Sequence, residues 1–384
     1  MRPNQNKQRV LEIQFLRGLA ILVIMMVHAA SDFSQVSTVN EGTAARALFY
    51  IISSFGVPIF VMISGFVLYH RYGADISVAK FYTRRFQKVL IPYGVYSVLY
   101  LIYAGWENGW YPSLGKSVLA ILTGTSYYHL WFVRLIIQIY LLYPFLSRFY
   151  RHYERQGRVR RLLWGAMIFQ TLMNIGMKLL KDRIHDAGAI ELLLTFTEFI
   201  FYFFLGCWAS RNQKKLGIIV DRFVRKYALP MILLYAVAVY VHLRLLLSGL
   251  EHYGTQQATP EIEKIPLVFT RIVTHLAALL VSYQSARFLM KRPGVGSSYV
   301  LRFGLLSYGC YLLHPMVLSA GGLALKHWFA ISNTSMISFP ILYALTVVTT
   351  FLFTSFIYKT PFGELFVGKT ESEGNRRGTK DSAD

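Results

Sequence analysis

The stretch FLRGLAILVIMMVHAA, residues 15–30, sets the interpretation of the whole chain. Ten residues, each apolar or glycine, separate Arg17 from His28. If the stretch is helical, the two residues are eleven positions apart, which is roughly 20° more than three full turns and about 16 Å along the axis. The sequence therefore predicts a hydrophobic helix that carries a cation and an imidazole on one face, about half a bilayer apart.

The composition indicates a membrane protein. Of the 384 residues, 54% are hydrophobic, and the mean hydropathy is +0.41. Long apolar runs recur along the chain, which predicts an all-α, polytopic bundle in a lipid bilayer. The formal charge of +21 could indicate a nucleic-acid partner, but the Lys and Arg residues fall in short loops beside apolar segments. We therefore expect no nucleic-acid partner.

Ten stretches are apolar and long enough to cross a bilayer, so we predict about ten transmembrane helices. They are residues 13–31, 47–69, 87–104, 130–147, 162–179, 190–209, 228–248, 266–289, 303–325 and 336–358. The shorter stretch 113–124 is predicted to lie at the membrane interface or to re-enter the membrane.

Three regions follow from these spans. Residues 1–12 are predicted to be a cytoplasmic N-terminal segment, residues 13–358 a transmembrane domain, and residues 359–384 a cytoplasmic, disordered tail. Residues 2–30 also resemble a secretory signal peptide, with a basic start and an apolar core. Because many spans follow, we expect a retained signal anchor that keeps Arg17 and His28 in the mature protein.

The basic residues predict the orientation of the chain. With the N-terminus in the cytoplasm, the cytoplasmic segments hold 29 of the 40 Lys and Arg residues, the outer segments hold 8, and 3 fall inside spans. This asymmetry is typical of the positive-inside rule. It predicts that both termini are cytoplasmic and explains most of the net charge without any ligand. The expected location is the cell membrane, as a multi-pass protein.

Several ionisable side chains fall inside the predicted spans, where they are costly and mark functional sites by default. On the predicted topology, His28, His129, Arg134 and His314 lie in the outer half of the membrane, and Glu198 lies near its middle. A common cavity would lower their cost. The alternative is that each histidine makes a hydrogen bond between packed helices.

A basic cluster lies at the opposite face. The segment FYTRRFQKVLIPY, residues 81–93, opens the third span with Arg84 and Arg85. Guanidinium groups match the geometry of phosphate oxygens. Ordinary positive-inside charge would also explain them. Together with Arg17 on the same side, however, they predict a binding site for a phosphorylated cytoplasmic molecule.

Four segments now resemble a known family, the acyltransferase-3 family of integral membrane acyltransferases. They are the pair Arg17-x10-His28, TRRFQKVLIPY (83–93), HLWFVRLIIQIYLLYPFL (129–146) and SYGCYLLHPMV (307–317). Their order fits the predicted topology, and the resemblance extends from about residue 10 to residue 358. Many members carry an extracellular hydrolase-like domain after the last span. None follows here, so we expect the core to act alone or with a separate protein.

The resemblance implies transfer of an acyl group, usually acetyl, from cytoplasmic acyl-CoA to a hydroxyl of an extracytoplasmic glycan or other cell-surface acceptor. The enzyme would be of the O-acetyltransferase type, with acyl-CoA as co-substrate and no metal. The resemblance assigns catalysis to His28. It assigns donor binding to Arg17, Arg84, Arg85, Trp131 and Arg134. It leaves Glu198, His129 and His314 as tunnel-lining or supporting residues.

This assignment suggests a mechanism. Cations near the cytoplasm would hold the phosphates of coenzyme A, and its arm would carry the thioester to His28. A neutral imidazole, with an ordinary pKa near ~6.5, could take the proton of the acceptor hydroxyl. Arg134 or a neighbouring group could stabilise the oxyanion. Alternatively, His28 is acylated first and passes the group on; the sequence leaves both routes open.

Two other functions stay open at this point. A proton-coupled secondary transporter or exporter would also place His, Glu and Arg inside the membrane. The protein could also be a non-catalytic scaffold or biosynthesis partner. Such a protein would not need Arg17 and His28 on one helix face, nor ionisable residues of several helices at one depth in the membrane. The acceptor, the acyl group and the oligomeric state cannot be inferred from the sequence.

Overall fold

The structure is a computed structural model that describes residues 11–31, 40–181, 192–254, 265–291, 294–331 and 335–368. These residues form α-helices, joined by short turns and one 3₁₀ helix, Thr195–Phe199, and contain no strand. The all-α prediction is confirmed. The predicted N-terminal segment and most of the predicted tail, residues 1–10 and 369–384, lie outside the described residues.

The described helices are numbered in chain order. They are α1 Leu11–Ala30, α2 Glu41–Ser53, α3 Gly56–Tyr72, α4 Val78–Asn108, α5 Leu114–Thr123, α6 Trp131–Arg155, α7 Val159–Lys181, α8 Ile200–Arg211, α9 Gln213–Gly254, α10 Ile265–Lys291, α11 Val295–Phe329, α12 Ser338–Lys359 and α13 Gly363–Val367.

Nine segments of the described chain are helical, long and apolar enough to cross a membrane. They coincide with nine of the ten predicted spans, and α2 and α3 together form one of them. The remaining prediction, residues 162–179, lies in α7, which is long enough but carries Gln170, Asn174 and several basic residues. The chain is therefore an all-α polytopic membrane protein. Its orientation and its membrane of residence stay predictions.

Helix α1 lies at the centre of the bundle. It packs against α2, α3, α10, α11 and α12. Its side chains Ala20, Ile21 and Met25 are fully buried, and the helix is unbroken from Leu11 to Ala30. The predicted axial distance of about 16 Å between Arg17 and His28 therefore holds.

Glycine lets α1 and α11 meet backbone to backbone. A Cβ built on Gly18 would lie 1.9 Å from the carbonyl oxygen of Val300, and one built on Gly304 would lie 2.1 Å from that of Gln14. The amide of Gln14 donates a hydrogen bond to the carbonyl oxygen of Leu301, 2.9 Å away. Small residues permit this close approach between membrane helices. The crossing fixes α1, which carries His28, against α11, which carries His314.

Two short helices lie at the ends of the bundle. The ten residues of α5 include no buried side chain, as expected for a helix at an interface, although its position in a membrane stays a prediction. Helix α13 packs against α4, α11 and α12, and its Val367 is buried. The packed chain therefore continues to Val367, beyond residue 358, where the tail was predicted to begin.

Candidate active site

Three histidines from distant parts of the sequence meet at one end of α1. The ring centroid of His28 lies 5.2 Å from that of His314, and the His314 centroid lies 5.6 Å from that of His129. His129 precedes α6, and His314 lies midway along α11. His129 and His314 are 0% exposed, whereas His28 is half-buried. The three imidazoles therefore lie together, with His28 the least buried of them, and the common cavity expected from their depths stays a prediction.

A proline in α11 determines which ring nitrogen of His314 carries the proton. Pro315 has no N–H, so the carbonyl oxygen of Tyr311, four residues earlier, lacks its helical donor. The Nδ1 of His314 lies 2.8 Å from that oxygen and 3.2 Å from the carbonyl oxygen of Cys310. Because a carbonyl only accepts, Nδ1 must carry the proton. In the neutral ring, Nε2 then holds the lone pair, and it is buried without a partner among the described residues.

Aromatic side chains enclose His129. Its ring centroid lies 5.0 Å from that of Tyr100, 5.3 Å from Tyr311 and 5.7 Å from Tyr128. The Tyr311 hydroxyl donates to the backbone carbonyl oxygen of His129 and thereby ties the start of α6 to α11. Both ring nitrogens of His129 are buried, and neither makes a well-formed hydrogen bond in the described structure, although a backbone group of Leu312 lies close to the ring. Buried polar atoms of this kind indicate a polar occupant such as water or substrate.

The Tyr128 ring borders the exposed side of the cluster. It meets the His28 ring edge-on, with 5.0 Å between centroids, and 52% of the residue is exposed. The sequence analysis did not single out Tyr100, Tyr128 or Tyr311. A signal was present for Tyr311, because Tyr308, Tyr311 and His314 recur every three residues and therefore share one helix face.

Two cations lie together at the other end of α1. Arg17 is half-buried and close enough to Arg85 and Tyr140 to interact electrostatically with both. The guanidinium carbon of Arg85 lies 5.1 Å from the ring centroid of Tyr72 and 5.9 Å from that of Tyr140. The Nε and Nη2 atoms of Arg85 are buried and have no hydrogen-bond partner among the described residues. Two adjacent, partly desolvated cations favour binding of an anion.

The remaining predicted donor residues have different surroundings. The side chain of Arg84 lies outside the described part of the structure. Trp131 is half-buried and packs against Phe199, 6.1 Å between ring centroids. Arg134 donates to the carbonyl oxygen of Thr123 at 2.7 Å and to the hydroxyl of Thr195 at 3.1 Å. Arg134 thus joins α5, α6 and the 3₁₀ helix.

Glu198 lies in that 3₁₀ helix, three residues after Thr195, and is half-buried. The helix break here is stabilised by two glutamines. Gln138 donates to the carbonyl oxygen of Leu192 at 2.6 Å, and Gln170 accepts from the backbone N–H of Phe201 at 3.1 Å. Glu198 therefore lies on a 3₁₀ helix that packs against α6 and α7, and its role stays a prediction.

An aromatic stripe connects the two ends of the site. Tyr308 lies near Tyr140, beside the arginines, and near Tyr311, beside the histidines. Phe132 of α6 covers Tyr311, with 5.2 Å between ring centroids. A long, flexible ligand with an anionic end could lie along this stripe with its anion at the arginines and its other end at His28.

Metal binding is not indicated within the described residues. No group of three or more His, Cys, Asp or Glu side chains there is arranged to hold an ion. The expectation of a metal-free reaction stays a prediction.

Comparison with known proteins places this geometry in a family. A family model described as an acyltransferase domain matches residues 10–358. Proteins of Staphylococcus aureus strains MSSA476 and MW2, each named a probable poly-beta-1,6-N-acetyl-D-glucosamine export protein, are 24% identical in an alignment of length 322 that covers 81% of this chain and 83% of theirs. No solved structure matches the chain. The match over nearly the whole transmembrane region shows that the chain belongs to the acyltransferase-3 family of membrane proteins.

Proposed function

We propose that the protein transfers an acyl group, of the acetyl class, from cytoplasmic acyl-CoA to a hydroxyl of a cell-surface polysaccharide. The observation that carries this proposal is the pairing of two features on one helix. Arg17 joins an anion-binding arginine pair at one end of α1, and His28 joins a cluster of imidazoles at the other. A coenzyme A thioester has the matching form, with phosphates at one end and the reactive carbonyl at the other.

The donor would be held at its phosphates. Arg85 presents Nε and Nη2 without protein partners, and Arg17 adds a second charge beside it. Charge-assisted hydrogen bonds of this kind contribute about 1.5–3 kcal/mol each. The Arg84 position would extend the same basic patch. The pantetheine arm would then follow the stripe of Tyr308 and Tyr311 towards His28.

The chemistry requires one base. An imidazole nitrogen of His28 takes the proton of the acceptor hydroxyl while the hydroxyl oxygen attacks the thioester carbonyl carbon. The carbon–sulfur bond of the resulting tetrahedral intermediate then breaks. The departing sulfur takes the proton from the His28 imidazolium, which gives the O-acyl ester, free coenzyme A and neutral His28. Proton transfer of this type contributes about 10²–10⁴ in rate.

Oxyanion stabilisation is assigned to His129 in this proposal. Arg134 was the expected residue, but its nitrogens hold Thr123 and Thr195. His129 lies in the cluster itself and has two ring nitrogens without a well-formed hydrogen bond, one of which carries a proton in the neutral ring. A donor fixed in a dry site before the reaction stabilises the developing charge without reorganisation.

The acceptor is proposed to be a hexosamine-containing polysaccharide at the cell membrane. The support is the name of the Staphylococcus aureus relatives, which refers to a poly-beta-1,6-N-acetyl-D-glucosamine. The same name favours a second function, export of such a polymer by the membrane bundle. Export alone would consume no acyl-CoA, and this difference separates the two functions.

The test compares cells with and without the gene. Acyl transfer predicts that deletion removes O-acyl esters from the surface polysaccharide, measured by mass spectrometry, while polymer is still found outside the cell. Export predicts that the polymer stays inside and that its ester content does not change. Esters that persist at the normal level after deletion would contradict the acyltransferase proposal.

A further inference from the structure

The histidine cluster contains two imidazoles, those of His129 and His314, in addition to the catalytic base proposed above. His314 is completely buried, its Nδ1–H is bound to the carbonyl oxygen of Tyr311, and its Nε2 has no partner among the described residues. Leaving a buried acceptor unpaired is unfavourable, because the atom loses its hydrogen bonds to water and gains none in return. A role in helix packing alone would need only Nδ1–H, so a buried Nε2 without a partner beside two other imidazoles calls for a separate explanation.

The neighbour of His314 that can move is His28. Their ring centroids are 5.2 Å apart and their planes differ by 34°, whereas His129 stands nearly edge-on to His314 at 77°. His28 is half-buried, whereas His314 is fully buried and bound through Nδ1. A hydrogen bond between the two rings would form by rotation about the side-chain bonds of His28.

We propose that His314 is the positioning residue for His28. Its Nε2 accepts a hydrogen bond from one ring nitrogen of His28, so that the other nitrogen of His28 keeps its lone pair for the acceptor hydroxyl. The inference rests on the proposed acyl transfer. A row of hydrogen bonds then runs from the acceptor hydroxyl through His28 and His314 to the Tyr311 carbonyl. Pro315 leaves that carbonyl without a backbone donor, so it is available to His314.

The consequence is electrostatic as well as geometric. When His28 takes the hydroxyl proton, it becomes an imidazolium whose second N–H already points at a lone pair. His314 stays neutral and does not itself receive the proton, so the hydrogen bond stabilises the cation as it forms. A charge-assisted bond is roughly twice as strong as a neutral one. Stabilisation of the cation therefore exceeds that of the resting state, as an accelerating interaction must.

Two substitutions separate this role from a structural one. In His314→Asn, the side-chain amide nitrogen can still donate to the Tyr311 carbonyl, but no acceptor remains near the position of Nε2. In His314→Gln, the longer side chain places an amide oxygen near that position. The Asn variant thus keeps the structural bond, and the Gln variant keeps the acceptor for His28.

The experiment replaces the gene with each variant in the source cells, which contain the natural acceptor. O-acyl ester on the surface polysaccharide is measured, together with melting temperature, kcat and KM for acetyl-CoA of the purified full-length protein. We expect His314→Asn to lower ester formation and kcat by about 10²-fold, with KM unchanged. We expect His314→Gln to stay within roughly tenfold of the wild type.

A third variant covers failure of the Asn variant to fold. Pro315→Ala restores a backbone donor to the Tyr311 carbonyl and removes a helix breaker, so α11 should stay folded while the new N–H competes with the His314 Nδ1–H for that oxygen. Reduced kcat in this variant would support the proposal. Wild-type kcat in His314→Asn, or a Gln variant no better than the Asn variant, would overturn it. If gene deletion leaves the esters unchanged, the proposed function fails instead.

Discussion

The crossing of α1 and α11 provides a test of how tightly the site is held. Gly304→Ala would place a Cβ 2.1 Å from the carbonyl oxygen of Gln14, about 1.3 Å short of the 3.4 Å at which ordinary contact begins. The obstacle is backbone, so no side chain can turn away. The helices must separate or tilt by roughly 1 Å, which costs about 1–3 kcal/mol as overpacking.

A loss of activity should accompany the loss of stability. The two helices carry His28 and His314, and a displacement near 1 Å costs about 10² in rate when reacting groups must be aligned. We expect Gly304→Ala to lower acetyl-CoA-dependent thiol release by about 10²-fold in purified protein that remains folded by thermal unfolding. Gly94→Ala is the matched control, because a Cβ there meets nothing within 4 Å. A wild-type rate in Gly304→Ala would refute the reasoning that this crossing aligns the site.

The remaining predictions concern the arginines. Arg85→Ala should weaken acetyl-CoA binding by about 10- to 100-fold, because it removes charge-assisted hydrogen bonds that contribute about 1.5–3 kcal/mol. The control is Arg225→Ala, which removes an exposed arginine and should leave the affinity unchanged. Isothermal titration of both variants measures the affinities, and equal affinities would contradict the phosphate site. Arg134→Ala should lower the melting temperature and leave the acetyl-CoA affinity nearly unchanged, because Arg134 donates hydrogen bonds to Thr123 and Thr195. A large loss of affinity at an unchanged melting temperature would show instead that Arg134 contacts the donor.

The helical architecture could be predicted because the bilayer constrains sequence so strongly. Nine of the ten predicted spans correspond to long apolar helices, and the helical period alone placed Arg17 and His28 on one face of α1. The α7 span was harder to judge, since Gln170, Asn174 and several basic residues lower its hydropathy. Of these, Gln170 is buried and accepts a hydrogen bond from the backbone N–H of Phe201, a contact between elements that hydropathy cannot indicate.

The site could be predicted only in part. The common depth of His28, His129 and His314 indicated a cluster, but depth says nothing about rotation around each helix axis. The surroundings of Arg134 depend on Thr123 and Thr195, which are distant in sequence and form no recognisable motif with it. Such contacts arise from tertiary packing of turns and a 3₁₀ helix, and a single sequence does not encode them in any periodic pattern.

The central claim is that an acyl-CoA bound by arginines at one end of α1 reacts at His28 at the other. The most direct measurement is acetyl-CoA binding and coenzyme A thiol release by the purified wild-type protein and by His28→Ala, with His242→Ala as a buried-histidine control that lies outside the cluster and contacts Thr270. The account predicts that all three proteins bind acetyl-CoA with equal affinity. In the presence of the polysaccharide acceptor, only the wild type and His242→Ala should release coenzyme A thiol. Thiol release by His28→Ala at the wild-type rate, or no binding of acetyl-CoA to the wild type, would contradict it.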